Sequence, residues 1–288
     1  MDRPPRIGVV GDAGVDLTFR VSSGADEKAV VDDAERGLGG TGANAAVAAA
    51  LLGADVRFTG AIGDDALGPW VSAALAARNV ATDLVRTTPG RTEVAVVVIE
   101  AGLRRLFVDP GIGYQHDRDA ILELRSWADV LYLTQVEPEL VRTAANGPGA
   151  LVVVGVEAAE LAAGDWRRSL EHADLVLTNS PGADGVLATV ELARTSVVIT
   201  AGAAGAMLAQ AGSRTSIAAP SVVAVDATGA GDCLAATLCR ELAIGLDLPS
   251  AVRRAVLAAS LSTTRLGTQT AFPTASELDE FAAANPVG

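Results

Sequence analysis

The sequence predicts an α/β fold built on a mostly parallel sheet, covered on both faces by helices and carrying a small β decoration. Three observations predict it. Short apolar runs at Val130 to Leu133, Leu151 to Val156, Leu175 to Leu177 and Val197 to Thr200 alternate with helical patterns, as strands joined by crossover helices do. Half of the 288 residues are hydrophobic but only 3% are aromatic, so Ala, Val, Leu and Ile fill the core, as in a buried sheet between Ala-rich helices. Two β-rich runs, Glu93 to Glu100 and Leu103 to Asp109, flank Ala101-Gly102 and read as a hairpin.

Taken in order, Arg6 to Gly11 is a short apolar strand ending in Gly, Thr41 to Leu52 an Ala-rich helix, and Val56 to Ile62 a second strand, which together open a βαβ unit. Leu17 to Arg36 is polar and mixed in pattern, suited to short exposed strands. We expect it to pair with the 93–109 hairpin as a lid made of segments near 14–38 and 90–110. After Pro220 to Val225 come three helical patterns, Gly229 to Ile244, Pro249 to Thr264 and Thr274 to Ala284. No repeat, low-complexity tract or linker divides the chain, so residues 1–288 read as one domain.

The formal net charge of −13 opposes binding to nucleic acid or to anionic lipid, because affinity for both comes mainly from Lys and Arg. A single polyphosphate chain is still within reach, since a few amides, a metal ion and one basic group can hold it. Cys233 and Cys239 match neither a metal-binding nor a redox spacing and read as inert thiols. The start of the chain lacks the pattern of a signal peptide and no apolar stretch is long enough to span a bilayer, so a cytoplasmic location without membrane contact is expected.

The strongest local signal is Asp226-Ala-Thr228-Gly229-Ala230-Gly231-Asp232, which follows an extended segment and opens a helix. Small residues let backbone N–H groups approach a phosphate, and the helix N-terminus adds partial positive charge, so the run forms an anion hole. Asp232 beside it is placed to accept the proton of an attacking hydroxyl. A capped helix start with permissive glycines explains the same run equally well, and no Gly-Lys-Ser/Thr follows it.

A second glycine-rich stretch, Gly39-Gly40-Thr41-Gly42-Ala43-Asn44, precedes the first long helix, and Gly60, Gly63-Asp64-Asp65 and Gly68 follow the next strand. With both stretches in this order and separation, the sequence closely resembles the ribokinase-like (PfkB) carbohydrate kinases over nearly its whole length. The resemblance extends to Gly11 with Asp16, to Gln135 and Glu137, and to Thr200-Ala-Gly202-Ala-Ala-Gly205. It implies a three-layer α/β/α sandwich with a β-strand lid, and phosphoryl transfer from ATP to a hydroxyl of a sugar or sugar-containing molecule.

By the same resemblance, Asp16, Gly40, Asn44 and Glu137 bind the acceptor, and Asn179, Thr200, Gly202 and Gly205 the nucleotide. Gly229, Ala230 and Gly231 form the anion hole, Asp232 is the base, and Asp226 and Thr228 hold a monovalent cation, K⁺, beside Mg²⁺·ATP. The residues alone leave alternatives open: Asp16 as a turn residue, Asn44 at a helix start, Glu137 as a solvated acid, Thr200 to Gly205 as a β-turn and Asp226 as a turn cap.

One departure stands out, since the family carries Asn-x-x-Glu where this chain has Asn179-Ser180-Pro181-Gly182. In the family that Glu organises the water shell of Mg²⁺, and Asp184 is a candidate to compensate or else a surface acid. His116 and His172 receive no chemistry, the Trp residues are too scattered to stack a base, and Arg104-Arg105 reads as a solvated hairpin face or a contact to an anionic substrate. Two alternatives stand beside the sugar kinase: a nucleoside kinase on the same fold, and a catalytically impaired sugar- or nucleotide-binding regulator. Unpaired lid edges point to a homodimer through the lid.

Overall fold

Apolar runs of four or five residues, buried on both faces, can rest only inside a sheet with helices above and below. The computed structural model describes residues 3–22, 30–100, 103–146 and 148–286 and shows this arrangement. Strands Ser196–Thr200, Leu175–Asn179, Leu151–Gly155, Val130–Leu133, Arg6–Val10, Asp55–Thr59 and Val80–Ala81 pair parallel in that spatial order. Ala206–Gln210 and Ser213–Ile217 extend the far edge antiparallel, joined by a two-residue turn in which Ala211 (φ 44°) and Gly212 (φ 78°) are both left-handed. The sequence predicts only a β-turn over Thr200 to Gly205, because the strands that follow it are short and partly exposed.

One face of the sheet packs on helices Thr41–Leu51, Leu67–Ala76, Ala230–Ala243, Leu248–Ser262 and Ala275–Ala284, with Val9, Phe58 and Val153 facing them. The other face, through Val10, Leu133, Val152 and Val154, packs on Arg118–Trp127, Pro138–Ala145, Arg167–Leu170 and Ala183–Leu187. The fold is therefore a three-layer α/β/α sandwich, as the sequence predicts. Gly42 to Ala49 are all buried, which explains why Thr41–Leu51 is Ala-rich on every side: it lies between the sheet and the helix Ala230–Ala243.

A second sheet of four strands has the order Asp33–Gly39, Gly14–Val21, Glu93–Glu100, Leu103–Asp109, its middle pair parallel and its outer pairs antiparallel. The strand read as Val56 to Ile62 is in fact two. Asp55–Thr59 ends in the main sheet, and Ala61–Gly63 pairs separately with Arg86–Thr88. The break falls at Gly60, where any Cβ would overlap the Gly11 carbonyl oxygen. The expected Ala101-Gly102 turn, residues 23–29 of the first lid segment and the Arg104 side chain lie outside the described residues. Arg105 is on the exposed hairpin, its guanidinium 5.1 Å from the Phe107 ring centroid.

Strand order reverses at Arg6–Val10: the chain first runs to Asp55–Thr59 on one side, then returns to Val130–Leu133 on the other. The helices diverge at such a reversal and leave a crevice beyond the carboxyl ends of the strands. Gly11 and Asp12 leave one strand there, and Thr134 to Glu137 leave its neighbour. Cys233 and Cys239 are buried in the core, away from solvent. Among the described residues no helix is long and apolar enough to cross a membrane.

Candidate active site

The turn before helix Ala230–Ala243 is held by one carboxylate. Asp226 Oδ1 accepts from the Thr228 amide (2.9 Å) and hydroxyl (2.7 Å), and Oδ2 accepts from the Gly267 amide (3.1 Å). Asp226 is thus a turn cap, one of the readings the sequence left open. Gly229 then takes the left-handed conformation at the N-cap, and no side chain caps the helix. Of its first-turn amides, that of Ala230 donates to the Ala227 carbonyl oxygen at 3.2 Å, while Gly231 is exposed; the helix N-terminus supplies the partial positive charge that an anion would meet.

Asp232 lies in that first turn. Its Oδ2 accepts from Asn44 Nδ2 at 2.9 Å, although 188 residues separate the two in the chain. Asn44 is a buried residue of helix Thr41–Leu51, whose N-terminus is held by Asp12: the carboxylate accepts from the amides of Thr41 (3.0 Å) and Gly42 (2.8 Å). Gly40, with φ 96°, packs against Asp12 and Ala13 so closely that a Cβ would lie 2.8 Å from the Asp12 carbonyl oxygen. Gln269 closes the cluster, its Nε2 donating to Asn44 Oδ1 at 2.9 Å.

Carboxyl groups crowd this crevice. Burial pushes Asp232 up to about 8, with the charges of Asp12, Glu157 and Asp16 adding to the rise and the Asn44 hydrogen bond opposing it. Glu93 is pushed up to about 8 by burial and by Asp12 and Asp16, and Glu160 up to about 7 by burial, partly opposed by the Glu157 amide. Asp12 is also raised by burial, against the two amides it caps. A cleft of this kind takes up a polyphosphate only if its carboxyls are protonated or a cation accompanies the ligand.

Two cavities lie near the cluster, and Gln269 lines the first. One, of about 350 Å³, is lined by Asp16, Leu38, Val97, Ile99, Asp226, Thr228, Leu266 and Gln269, between the second sheet and the C-terminal loops. The other, of about 530 Å³, is lined by Thr200, Gly202, Gly205, Val222, Ala230, Gly231 and Val256. Ala230 and Gly231 of the expected anion hole thus line the second cavity, together with three residues assigned to the nucleotide. Asn179 lines neither cavity; its Oδ1 accepts from the Gly182 amide at 3.2 Å.

Glu137 stands apart from both cavities. It is the N-cap of Pro138–Ala145, and its carboxylate pairs with the buried His116 at 3.1 Å, which holds it below the usual carboxylate range although burial works the other way. His116, which carries no chemical signal in the sequence, is the partner of Glu137 in the structure. At Gly182 a Cβ would overlap Thr178 Oγ1, so any side chain there, glutamate included, forces Thr178 to move. Asp184 is exposed on the first turn of Ala183–Leu187.

Sequence reasoning missed Asp12, Glu93, His116 and Gln269. Of these only Asp12, directly after the first strand and Gly11, carried a usable local signal. The pattern of the pfkB family carbohydrate kinase matches residues 5–275. A ribokinase of Bacillus subtilis is 28% identical over 288 residues, covering 96% of this chain and 98% of the relative. Among solved structures, the Arabidopsis thaliana ribokinase complexed with ribose and ATP superposes with a TM-score of 0.81 at 22% identity, covering 96% of this chain and 98% of that one. A Burkholderia thailandensis nucleoside kinase in complex with inosine gives 0.78 at 22%, covering 96% and 97%. The fold is that of these kinases, and the chain belongs to the pfkB family of carbohydrate kinases, phosphotransferases that act on a sugar hydroxyl.

Proposed function

We propose that the chain transfers the γ-phosphoryl group of ATP to a hydroxyl of a sugar or sugar-containing small molecule, with Asp232 as general base. The observation that carries this reading is the place of Asp232. It stands in the first turn of an uncapped helix that ends the 530 Å³ cavity, and is tied through Asn44 to Gln269 in the wall of the 350 Å³ one. ATP occupies the larger cavity, against Thr200, Gly202 and Gly205, and the acceptor the smaller, its hydroxyls bound by Asp16 and Asn44 and framed by the Gly40 turn. Glu137, held by His116, shapes the crevice from the neighbouring strand end.

As the acceptor hydroxyl attacks the γ-phosphorus, Asp232 takes its proton, the new oxygen–phosphorus bond forms and the bond to the bridging oxygen of ADP breaks. The amides at Gly229 and Gly231 meet the charge on the transferring group, joined by that of Ala230 when it leaves the Ala227 carbonyl oxygen. Mg²⁺ would come with the phosphates of ATP, since it usually keeps several waters and few protein ligands. Asn179, paired with Thr200 across the neighbouring strands, would belong to the nucleotide site, and a bound Mg²⁺ ion would neutralise phosphate charge. Asp226 and Thr228 would hold K⁺ beside the anion hole.

The whole chain acts as one domain in this reading, with segments 14–38 and 90–110 closing as a lid that excludes water. The test is acceptor-dependent ADP release from Mg·ATP over pentoses, hexoses, phosphosugars and nucleosides, with and without K⁺. Turnover with one acceptor names the substrate, and a rise with K⁺ supports the cation site. A well-folded protein that binds ATP but turns over none of them is a binding regulator instead. The apolar wall of Leu38, Val97, Ile99 and Leu266 and a volume beyond a pentose favour a substituted sugar, and nucleosides are the second reading. Among the described residues no aromatic ring lines that cavity to stack a base.

We also propose a homodimer through the second sheet. Its edge strand Leu103–Asp109 exposes Leu103, Leu106, Phe107 and Val108, so both faces of an unpaired edge are apolar. Sedimentation at micromolar concentration is expected to show a dimer, and Leu106→Lys a monomer. A parent protein that sediments only as a monomer removes the proposal.

A further inference from the structure

We infer that Gln269 is a positioning residue for phosphoryl transfer, because it fixes which end of the Asn44 amide faces Asp232. The inference rests on the reading of Asp232 as the base. Gln269 Nε2 donates to the Leu38 carbonyl oxygen at 3.0 Å and to Asn44 Oδ1 at 2.9 Å, and Asn44 Nδ2 donates to Asp232 Oδ2 at 2.9 Å. A main-chain oxygen can only accept. Leu38 therefore selects the NH₂ end of Gln269, Asn44 must answer with its oxygen, and its own NH₂ is left for Asp232.

The direction of three hydrogen bonds is thus set by one backbone oxygen at the end of strand Asp33–Gly39. The arrangement has a cost. Gln269 Oε1 is buried without a partner among the described residues, which native proteins tolerate rarely. Turning the amide over would not remove the cost, since two oxygens would then face each other across the Leu38 contact.

The direction matters for the base. A donor on a carboxylate favours its ionised form, whereas a carbonyl oxygen in the same place favours the protonated acid, which cannot take a proton. The other titratable groups that face Asp232 are Asp12, Asp16 and Glu157, from three separate segments, with Tyr132 on the sheet and Cys233 on its own helix. None of these is cationic, and the three carboxylates all oppose ionisation. The Asn44 amide is the side chain that works the other way, beside the partial positive charge of the helix N-terminus, and Gln269 keeps it pointed correctly. Anchoring Asn44 to the second sheet also leaves Asp232 Oδ1 for the acceptor hydroxyl.

The test is a carbon-13 NMR titration of aspartate-labelled protein, with the Asp232 carboxyl signal assigned by its loss in Asp232→Asn. In Gln269→Met, which keeps the volume but donates nothing, the Asp232 midpoint is expected to rise by about one pH unit. The acid limb of kcat should move with it, while KM for ATP stays unchanged. Gln269→Glu is the second variant should Gln269→Met fold poorly, because an ionised carboxylate there repels both oxygens it replaces a donor to; the same upward shift is expected. An unmoved midpoint in a folded variant overturns the relay. The underlying reading fails separately, by full turnover in Asp232→Asn.

Discussion

Asp232→Asn is expected to lower kcat by about two to four orders of magnitude, the usual contribution of a positioned general base, with little change in KM for ATP. Asparagine keeps the shape of the side chain and can still meet Asn44, but it cannot accept the proton of the attacking hydroxyl. Residual turnover should remain, because the helix amides and the binding of both substrates still act. In the parent protein, with the Asp232 carboxyl raised to about 8 in the free cleft, kcat/KM should climb with pH through that region, as the protonated acid becomes the base. A pH profile of kcat/KM for parent and variant checks both points: the limb belongs to Asp232 only if it vanishes in Asp232→Asn.

The same substitution should stabilise the fold. Asp232 has a folded pKa above that of an unfolded carboxyl, about 3.9, so its contribution to stability is full below that value and is lost as the pH rises through about 8. Asp232→Asn removes a charge that the cleft resists, and its melting temperature should exceed that of the parent above about pH 8 and converge with it near pH 4. A variant that is less active and more stable is what a site strained for function produces. A variant destabilised at alkaline pH would mean that the carboxylate is held more favourably than its neighbours imply.

Much of this site was legible because its residues sit in local runs. The stretch from Asp226 to Asp232 and that from Gly39 to Asn44 each need small residues at fixed places to begin a helix in a close-packed turn, and such needs are written within a few positions. Alternating apolar runs likewise gave the sheet, since burial on both faces leaves few other solutions. What escaped was long-range. Gln269 lies 225 residues from Asn44, and His116 meets Glu137 only because two loops converge at the reversal of strand order. The break at Gly60 escaped too, because it is imposed by the Gly11 backbone of another strand, not by anything in Val56 to Ile62.

Gly229 and Gly231 look alike in the sequence, yet their substitution should separate fold from function. Gly229 has φ 76°, and a Cβ there would lie 2.5 Å from Thr268 Cγ2 and 3.1 Å from two ring atoms of the buried Phe272. Gly229→Ala therefore combines a left-handed conformation, roughly 1–2 kcal/mol, with overpacking of roughly 1–3 kcal/mol. The melting temperature should fall by on the order of 10 °C. Gly231 has nothing within 4 Å of its added Cβ, and alanine is the better helix former. Gly231→Ala should melt at or above the parent. Its methyl group, however, would stand among the open amides at the end of the 530 Å³ cavity, where the phosphoryl group must come close. Activity should drop at least tenfold there, about 1.4 kcal/mol of lost transition-state stabilisation. Melting curves and kcat/KM for ATP, measured on both variants, decide it: an intact Gly231→Ala enzyme would show that the helix start serves the fold alone and would move the phosphate elsewhere in the crevice.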